Sequence, residues 1–245
     1  MMSDRDILPH SNDAEAGGTI APLLPQDSPH WLPEPNRLYR IVKREIDILG
    51  SLVAMVLFLP LFVAIAVAIK LTSRGSVFRR QIRLGYHARP FVLLNFRTMH
   101  TGTDPRIHQA YVRLLVTGAS QAQPGQPVPY YFSYDPRVTR VGRFLRRTSL
   151  DELPQFLNVL KGNMSLVGPR PPIPYEWEHY KDWHKLRLSC KPGITGLWQV
   201  KARSRARFDD MVRLDLEYAR HPSILLDLRL LLETPLAVLR DAGAY

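Results

Sequence analysis

An uncharged and largely apolar run of 22 residues, at positions 48–69, constrains this chain more than any other part of its sequence. Folded as one α-helix, such a run is roughly 33 Å long, and the hydrocarbon core of a bilayer is about 30 Å thick. Pro60 stands inside the run. A proline within a helix lacks the N–H donor and clashes with the carbonyl four residues before it. The run is therefore long enough to cross a membrane but is predicted to bend near its middle.

The charges beside the run bear on whether it crosses the membrane or enters and returns. The basic residues before it are Arg37, Arg40, Lys43 and Arg44, and those after it are Lys70, Arg74, Arg79, Arg80 and Arg83. Because Lys and Arg next to a membrane segment favour the cytoplasmic side, both ends should lie on that side. We therefore predict a re-entrant helix–break–helix over residues 37–75, with arms of about 18 and 14 Å around Pro60. A single membrane span is the alternative.

The composition indicates an anionic partner. A formal net charge of +11 suits a nucleic acid, an anionic lipid surface or a phosphorylated substrate. The apolar run, and the lack of a motif that interleaves aromatic and basic residues for nucleic acids, argue against nucleic-acid binding. The single cysteine, Cys190, excludes an internal disulfide and is typical of a reducing compartment. Residues 1–36 carry acidic residues, six prolines and no signal-peptide pattern, so we expect a disordered cytoplasmic arm.

The chain after the apolar run shows short local patterns. Apolar residues alternate around Gly85, which predicts a β-hairpin over residues 77–96. Residues 117–129 are rich in Gly, Pro and Gln and are predicted to form a loop. The apolar spacing over residues 138–145 predicts a helix.

Two later segments, residues 175–188 and 223–239, each combine apolar with charged residues. Each is either an amphipathic helix at a membrane surface or an ordinary helix packed on a core. The predicted fold is mainly α with a small β-hairpin. It comprises the re-entrant membrane helix and amphipathic interfacial helices around a compact, cytosolic and membrane-associated catalytic domain over residues 76–245.

The stretch "TSLDELPQFLNVLKG", residues 148–162, has the signals of a helix start and end. Pro154 suits a first turn and Gly162 suits the position after the last turn. The helix cap is either Ser149, which has capping-box spacing to Glu152, or Asp151. In either arrangement Asp151 and Glu152 lie at a helix N-terminus, where the macrodipole favours anions and should keep a carboxylate ionised.

The adjacent carboxylates permit a structural and a catalytic interpretation. The first is helix capping alone. The second is a nucleophilic Asp151 with Glu152 as acidic helper and a divalent cation, because an aspartate can accept a phosphoryl group covalently. A phosphate clamp should then lie nearby, and "SLVGPRPP" offers Arg170 in a stiff segment after Gly168.

The string "DPRVTRVGRFLRRTSLDELPQFLNVLKGNMSLVGPRPP", residues 135–172, resembles the signature of the bacterial sugar transferase family, the monotopic phosphoglycosyl transferases. "KPGITGLWQV", residues 191–200, resembles the next block of that family. "VFRRQIRLG" and "NFRTM" are similar to its hairpin portion. The similarity covers residues 43–232, and the chain resembles the short form of the family.

The resemblance implies a two-step transfer with Mg²⁺ at a cytosolic site. Asp151 would attack the β-phosphorus of a UDP-hexose, UMP would leave, and undecaprenyl phosphate would take the phosphosugar from the aspartate. Glu152 would serve as metal partner, together with Asp151, or as proton acceptor. The candidate phosphate- or substrate-binding residues are Arg146, Arg147, Arg170, Lys191 and Asp227, and the candidate structural residues are Pro60, Gly168, Pro169 and Pro171.

The expected setting is the cytoplasmic face of a bacterial inner membrane with anionic lipids, both termini cytoplasmic, and a homodimer is plausible. The sugar is expected to be glucose or galactose, although no residue in the sequence specifies it. Three positions depart from the family pattern: Asn95 replaces a usual lysine, Ala202 a common glycine, and Leu59 a serine of some members. The alternative function is a non-catalytic, membrane-anchored scaffold of a polysaccharide assembly complex.

Overall fold

The computed structural model describes residues 31–100, 116, 137–202 and 207–240. The helices are α1 Arg37–Leu57, α2 Leu59–Thr72, α3 Arg140–Arg147, α4 Gln155–Leu160, α5 Pro174–Trp177, α6 Asp182–Lys185, α7 Leu197–Lys201, α8 Phe208–Arg220 and α9 Ile224–Arg240. The strands are β1 Phe78–Leu84, β2 Pro90–Phe96, β3 Ser165–Val167 and β4 Gly193–Thr195. Short 3₁₀ turns cover Tyr86–Ala88, Leu150–Glu152 and Leu186–Ser189. The predicted mainly α fold with a small hairpin is confirmed.

The apolar run forms two helices that meet at Phe58 with an angle of 62° between them. Pro60 lies in the first turn of α2. A backbone N–H in a first turn has no acceptor within the helix, so proline breaks no helical hydrogen bond there. The Phe58 N–H donates to the Ala54 carbonyl at 2.9 Å, and the Phe58 carbonyl accepts from the Phe62 N–H at 2.8 Å. The bend predicted at Pro60 is confirmed. In the described chain no single helix is long and apolar enough to cross a membrane, but this bent pair together is.

Helix α1 is fixed to the rest of the chain along its first four turns. Asp47 and Ser51 are buried, and one carboxylate oxygen of Asp47 accepts from the Ser165 hydroxyl and the Leu166 N–H, both at 2.9 Å. Beyond Ser51 large apolar side chains are exposed on both sides of the bend, namely Leu52, Val53, Val56, Leu57, Leu59 and Val63. The part of the helix pair nearest the bend therefore projects from the core.

Two separate two-stranded sheets support the fold. Strands β1 and β2 are antiparallel, with Phe78 opposite Phe96 and Leu84 opposite Pro90, so the predicted hairpin is confirmed. Strands β3 and β4 are parallel, a pairing that local sequence patterns did not predict. At the end of β3 the backbones come so close that a Cβ on Gly168 would lie 2.2 Å from the Lys191 carbonyl oxygen.

The two amphipathic segments differ in what they bury. In residues 175–188 the side chains of Trp177, Tyr180 and Leu188 are part of a hydrophobic cluster, so this segment belongs to the core and the interfacial interpretation of these side chains is wrong. Helix α9 buries Leu230 but exposes a leucine row consisting of Leu225, Leu228, Leu232, Leu236 and Leu239. It has the apolar face that an interfacial helix requires.

The segment before α1 also contacts the core. The Trp31 ring stacks on His87 with 4.6 Å between ring centroids, and the Leu32 N–H donates to the Ser189 hydroxyl at 2.9 Å. The rest of the predicted N-terminal arm, residues 1–30, and the predicted loop at residues 117–129 lie outside the described residues.

Candidate active site

The acid pair lies in a tight turn between α3 and α4. Ser149 has a left-handed backbone with φ of 56°, and Leu150–Glu152 form one 3₁₀ turn. Pro154 occupies the N-cap position of α4, and neither it nor Ser149 makes a capping hydrogen bond with its side chain. Ser149 therefore takes the N-cap position of the 3₁₀ turn without the expected side-chain hydrogen bond, and the expectation that Asp151 caps the helix is wrong, because Pro154 takes that position in α4. The carboxylates of Asp151 and Glu152 lie beside Asn95 and Arg170 instead.

Apolar residues beside the acids fix the turn to the bent helix pair. Leu150 and Leu153 pack against a buried cluster of Ile65 and Ile69 from α2, Phe96 from β2 and Leu145 from α3. A leucine on each side of the acid pair thus packs against the core, and these two leucines hold the acids beside the bent helix pair.

The electrostatic setting of Asp151 combines burial with nearby cations. Burial raises the pKa of this carboxyl above its ordinary value, while Arg146, Arg170 and the amide of Asn95 lower it, and burial is the larger effect. The Asn95 Nδ2 lies 3.5 Å from an Asp151 carboxylate oxygen. The expectation that a helix dipole keeps this carboxylate ionised is corrected, since α4 begins only at Gln155 and desolvation dominates.

The predicted arginines take different positions around the pair. The Arg146 Nε donates to the Thr98 hydroxyl at 2.9 Å, which holds its guanidinium beside Asp151. The Arg170 guanidinium lies 3.9 Å from a Glu152 carboxylate oxygen. Its side chain is 51% exposed, so it can turn toward an incoming phosphate. Arg147 is exposed in the last turn of α3.

A cleft opens beside Glu152 and Arg170. It is lined on its polar side by those two residues together with Arg83, Asn95, Gln155 and Gln199. The Arg83 side chain is 8% exposed, and burial lowers its pKa to about 10, with the charge of Arg170 as the next cause. One of its nitrogens donates to the Pro171 carbonyl at 2.9 Å, so Arg83 braces the segment that carries Arg170.

Helix α4 and strand β2 are joined directly next to the acid pair. The Asn158 side chain accepts from the Leu94 N–H at 3.0 Å and donates to the Val92 carbonyl at 2.7 Å. This clamp brings the next strand residue, Asn95, against α4, where its Oδ1 accepts from the Gln155 amide at 3.0 Å. Asn95 reaches Asp151 because the clamp sets the register of helix and strand.

Two predicted site residues make their contacts with α1. Lys191 lies among Lys43, Arg44 and Asp47, and burial followed by the charge of Arg44 lowers its pKa. Asp227 is 2% exposed and accepts from the Tyr39 hydroxyl at 3.0 Å, the Lys43 ammonium at 3.0 Å and the Tyr218 hydroxyl at 2.6 Å. Its hydrogen bonds therefore join α9 to α1 rather than reaching the acid pair.

The donor set around the turn limits how a metal could bind. In the residues that the structure describes, no group of three or more His, Cys, Asp or Glu side chains could hold a metal ion. Mg²⁺ commonly takes only one or two protein carboxylates and completes its shell with water and substrate phosphates. Asp151 and Glu152 fit that manner of binding, in which a phosphorylated ligand would supply much of the coordination.

Sequence reasoning missed the amides of the cleft. Gln155 directly follows Pro154 and Gln199 lies in the block "GLWQV", but a neutral amide in either place has no sequence signal for function. Asn95 did have a signal, since it replaces a usual lysine of the resembled family. Its importance becomes visible only from its contact with Asp151.

Comparison with known proteins shows the family of this chain. The family model described as bacterial sugar transferase matches residues 38–241. The chain is 36% identical over 222 residues to the exopolysaccharide production protein ExoY of Rhizobium meliloti, an alignment that covers 89% of this chain and 96% of the relative.

Two longer relatives carry more specific names. The undecaprenyl-phosphate galactose phosphotransferase of Salmonella typhimurium is 37% identical over 210 residues, which cover 86% of this chain and 43% of the relative. The UDP-glucose:undecaprenyl-phosphate glucose-1-phosphate transferase of Escherichia coli is 37% identical over 214 residues, covering 84% and 42%. The chain thus spans less than half of these two proteins and nearly all of the first.

Proposed function

The chain belongs to the bacterial sugar transferase family, and on that premise we propose that it transfers a hexose 1-phosphate from a UDP-hexose to undecaprenyl phosphate. The products are UMP and undecaprenyl diphosphate-hexose, the first lipid-linked intermediate of an exopolysaccharide or related glycoconjugate. The hexose is glucose or galactose, the sugars in the names of the longer relatives.

One observation carries this proposal. The acidic turn is packed by Leu150 and Leu153 onto the same cluster as Ile65 and Ile69 of the bent helix pair. A carboxylate pair with nearby arginines is thereby held beside an apolar projection. A water-soluble nucleotide sugar and a phosphate with a polyprenyl tail can meet only where water and lipid meet.

In the first step Asp151 acts as the nucleophile. One of its carboxylate oxygens bonds to the β-phosphorus of the UDP-hexose, the bond from that phosphorus to the bridging oxygen breaks, and UMP leaves with the bridging oxygen. Arg146 and Arg170 supply positive charge where the phosphoryl oxygens gather negative charge. A covalent phosphosugar-aspartate remains.

In the second step a phosphate oxygen of undecaprenyl phosphate bonds to the same phosphorus. The bond between that phosphorus and Asp151 breaks, which restores the carboxylate. Glu152, which is partly exposed beside Arg170, accepts a proton from the lipid phosphate when that phosphate arrives protonated.

Asp151 and Glu152 would hold Mg²⁺ together with oxygens of the diphosphate. When bound, the ion neutralises charge on the phosphoryl groups and so lowers the electrostatic cost of bringing a carboxylate to them.

The membrane arrangement proposed here is re-entrant. The uncharged run, the 62° bend and the exposed apolar side chains around it support entry of the α1–α2 pair into one leaflet. The basic residues on both flanks support a position of the two ends on the cytoplasmic face of a bacterial inner membrane, among anionic lipids. Labelling of single cysteines placed at Leu38 and at Arg74, in a Cys190→Ser background, tests this. A site labelled from outside intact cells contradicts it.

The reaction is tested by UMP release in purified membranes supplied with a UDP-hexose and undecaprenyl phosphate. We expect release that stops when EDTA removes Mg²⁺. Asp151→Asn should lower the rate by at least about 1,000-fold, because the nucleophile is lost, and Glu152→Gln by about 10- to 100-fold. The matched control is Asp182→Asn, which changes a surface acid paired with Lys185. Near-normal release by Asp151→Asn contradicts the mechanism, and no release by the natural protein favours the scaffold alternative.

A further inference from the structure

Three neutral carboxamides line the cleft beside the acid pair, on Asn95, Gln155 and Gln199. The apolar side chains of Leu93 and Ile194 lie on the same wall. Charged groups of the cleft suit phosphates, whereas a neutral amide offers both a donor and an acceptor, which matches a hydroxyl group. The amides therefore point to a part of the substrate that carries hydroxyls.

The hydrogen bonds fix how two of these amides face. Gln155 is 4% exposed and donates from Nε2 to the Asn95 Oδ1 at 3.0 Å. That bond directs the Asn95 Nδ2 toward the Asp151 carboxylate, 3.5 Å away. The amide row thus begins within one hydrogen-bond length of the proposed nucleophile.

The third amide has an acceptor that lacks a partner. Gln199 donates from Nε2 to the Ile194 carbonyl at 3.2 Å, which settles which end of its amide is nitrogen. Its Oε1 is buried and has no hydrogen-bond partner within the described chain. That oxygen lies beside Gly196, where a Cβ would come within 2.4 Å of it and within 2.3 Å of the Gly168 carbonyl oxygen. A buried acceptor without a partner costs free energy that a ligand hydroxyl can recover.

The chemistry of the proposed reaction separates a sugar from a nucleobase as the occupant. The bond that breaks lies on the β-phosphorus, and the hexose is attached to that same phosphorus through one oxygen. Uracil is farther from it, beyond a ribose and the α-phosphate. Groups next to Asp151 therefore meet the hexose.

We propose that Asn95, Gln155 and Gln199 form the hexose-binding floor of the cleft, with the buried Gln199 oxygen accepting a hydrogen bond from a sugar hydroxyl. This inference rests on the proposed function for the identity of the donor. Ile194, which is partly exposed, offers apolar surface for the C–H face of the ring. The floor holds the sugar while the phosphoryl group moves to and from Asp151.

Binding measurements test the floor without turnover. In an Asp151→Asn background, isothermal titration would give the dissociation constants of UDP-hexose and of UDP, which has no sugar. Gln199→Met keeps the length of the side chain but removes its amide. We expect it to weaken binding of UDP-hexose about tenfold, the effect of one lost hydrogen bond. Binding of UDP should change by less than about twofold, because no sugar hydroxyl is involved.

Two further variants keep the test decisive. Asn95→Ser should act in the same direction as Gln199→Met and covers the case in which the latter fails to fold. Asn163→Ala removes an exposed amide outside the cleft and should change neither constant. Equal weakening of UDP and UDP-hexose would show that the amides hold the nucleotide, and unchanged UDP-hexose binding would show that they hold nothing; either result overturns the floor. Failure of the proposed function is a separate result, namely no UMP release by the natural protein.

Discussion

The N-terminal end of α4 lies at an open cleft, whereas its C-terminal end lies against α1. At the first end the acids and Arg170 are partly exposed. At the second end Arg44 donates to the carbonyls of Val159 and Leu160, both at 2.7 Å. The Val159 carbonyl also accepts from the Gly162 N–H at 2.9 Å, and the cation of Arg44 suits the dipole at the C-terminal end of the helix.

The comparison shows how one short helix can serve two purposes at its two ends. Its anchored end has its backbone groups satisfied by a residue of α1, so the helix holds its position relative to the bent pair. Its open end keeps groups that a substrate can satisfy. Arg170 at the cleft can therefore contact a phosphate, whereas Arg44 of α1 stabilises the fold.

Among these predictions, removing the Arg146 cation beside the acid pair should have the largest effect on the reaction. Arg146→Ala takes away the charge that lowers the pKa of Asp151, so that pKa rises further and a larger fraction of the carboxyl is protonated at a given acidic pH. We expect kcat/KM to fall about 100-fold near neutral pH. The acid limb of the pH–rate profile should move to higher pH, since the nucleophile must be ionised.

The control for that prediction is Arg140→Ala, which removes an exposed arginine from the first turn of the same helix. Its profile should match that of the natural protein. An acid limb that stays in place in Arg146→Ala, or moves to lower pH, contradicts the role assigned to Arg146.

Removing the hydrogen bonds between Arg44 and the C-terminal end of α4 should lower the free energy of unfolding more than it changes the reaction. Arg44→Ala removes two charged hydrogen bonds, to the carbonyls of Val159 and Leu160, of which Val159 keeps the Gly162 N–H as a donor. We expect the free energy of unfolding in detergent to fall by about 2 kcal/mol. The shape of the pH–rate profile should stay the same, because Asp151 keeps its neighbours. Lys161→Ala removes an exposed cation at the same end and should have less than about a quarter of that effect. A shift of the acid limb in Arg44→Ala would contradict this comparison, because it would show that a change at the C-terminal end of α4 alters the ionisation of Asp151.

The smallest effects concern the two left-handed residues that flank the helix. Gly162 has φ of 83° and space for a methyl group, so Gly162→Ala meets only backbone strain and should cost about 1 kcal/mol. Ser149 has φ of 56°, and Ser149→Gly removes strain but adds freedom to the unfolded chain. We expect a net change within about 0.5 kcal/mol. Chemical denaturation measures both, and a larger loss in Ser149→Gly would mean that its side chain is needed.

Local signals in the sequence were sufficient for several elements. The proline in an apolar run predicted the bend, alternation around Gly85 predicted the hairpin, and apolar spacing predicted α3. The prediction of a capping side chain was wrong because two signals lie within four residues of each other, a possible cap at Asp151 and a helix-starting proline at Pro154. Pro154 took the N-cap position. The segment at residues 175–188 was ambiguous because aromatic residues are equally typical of a membrane surface and of a core.

The sequence by itself determined the acid pair, the bent apolar run and the family, because each depends on residues that are neighbours along the chain. Only the tertiary structure decided which groups surround the pair. The Asn95 amide reaches Asp151 across 56 residues, and Arg44 reaches the end of α4 across 115. Such partners are chosen by packing and register, which depend on the whole fold, so no local pattern records them.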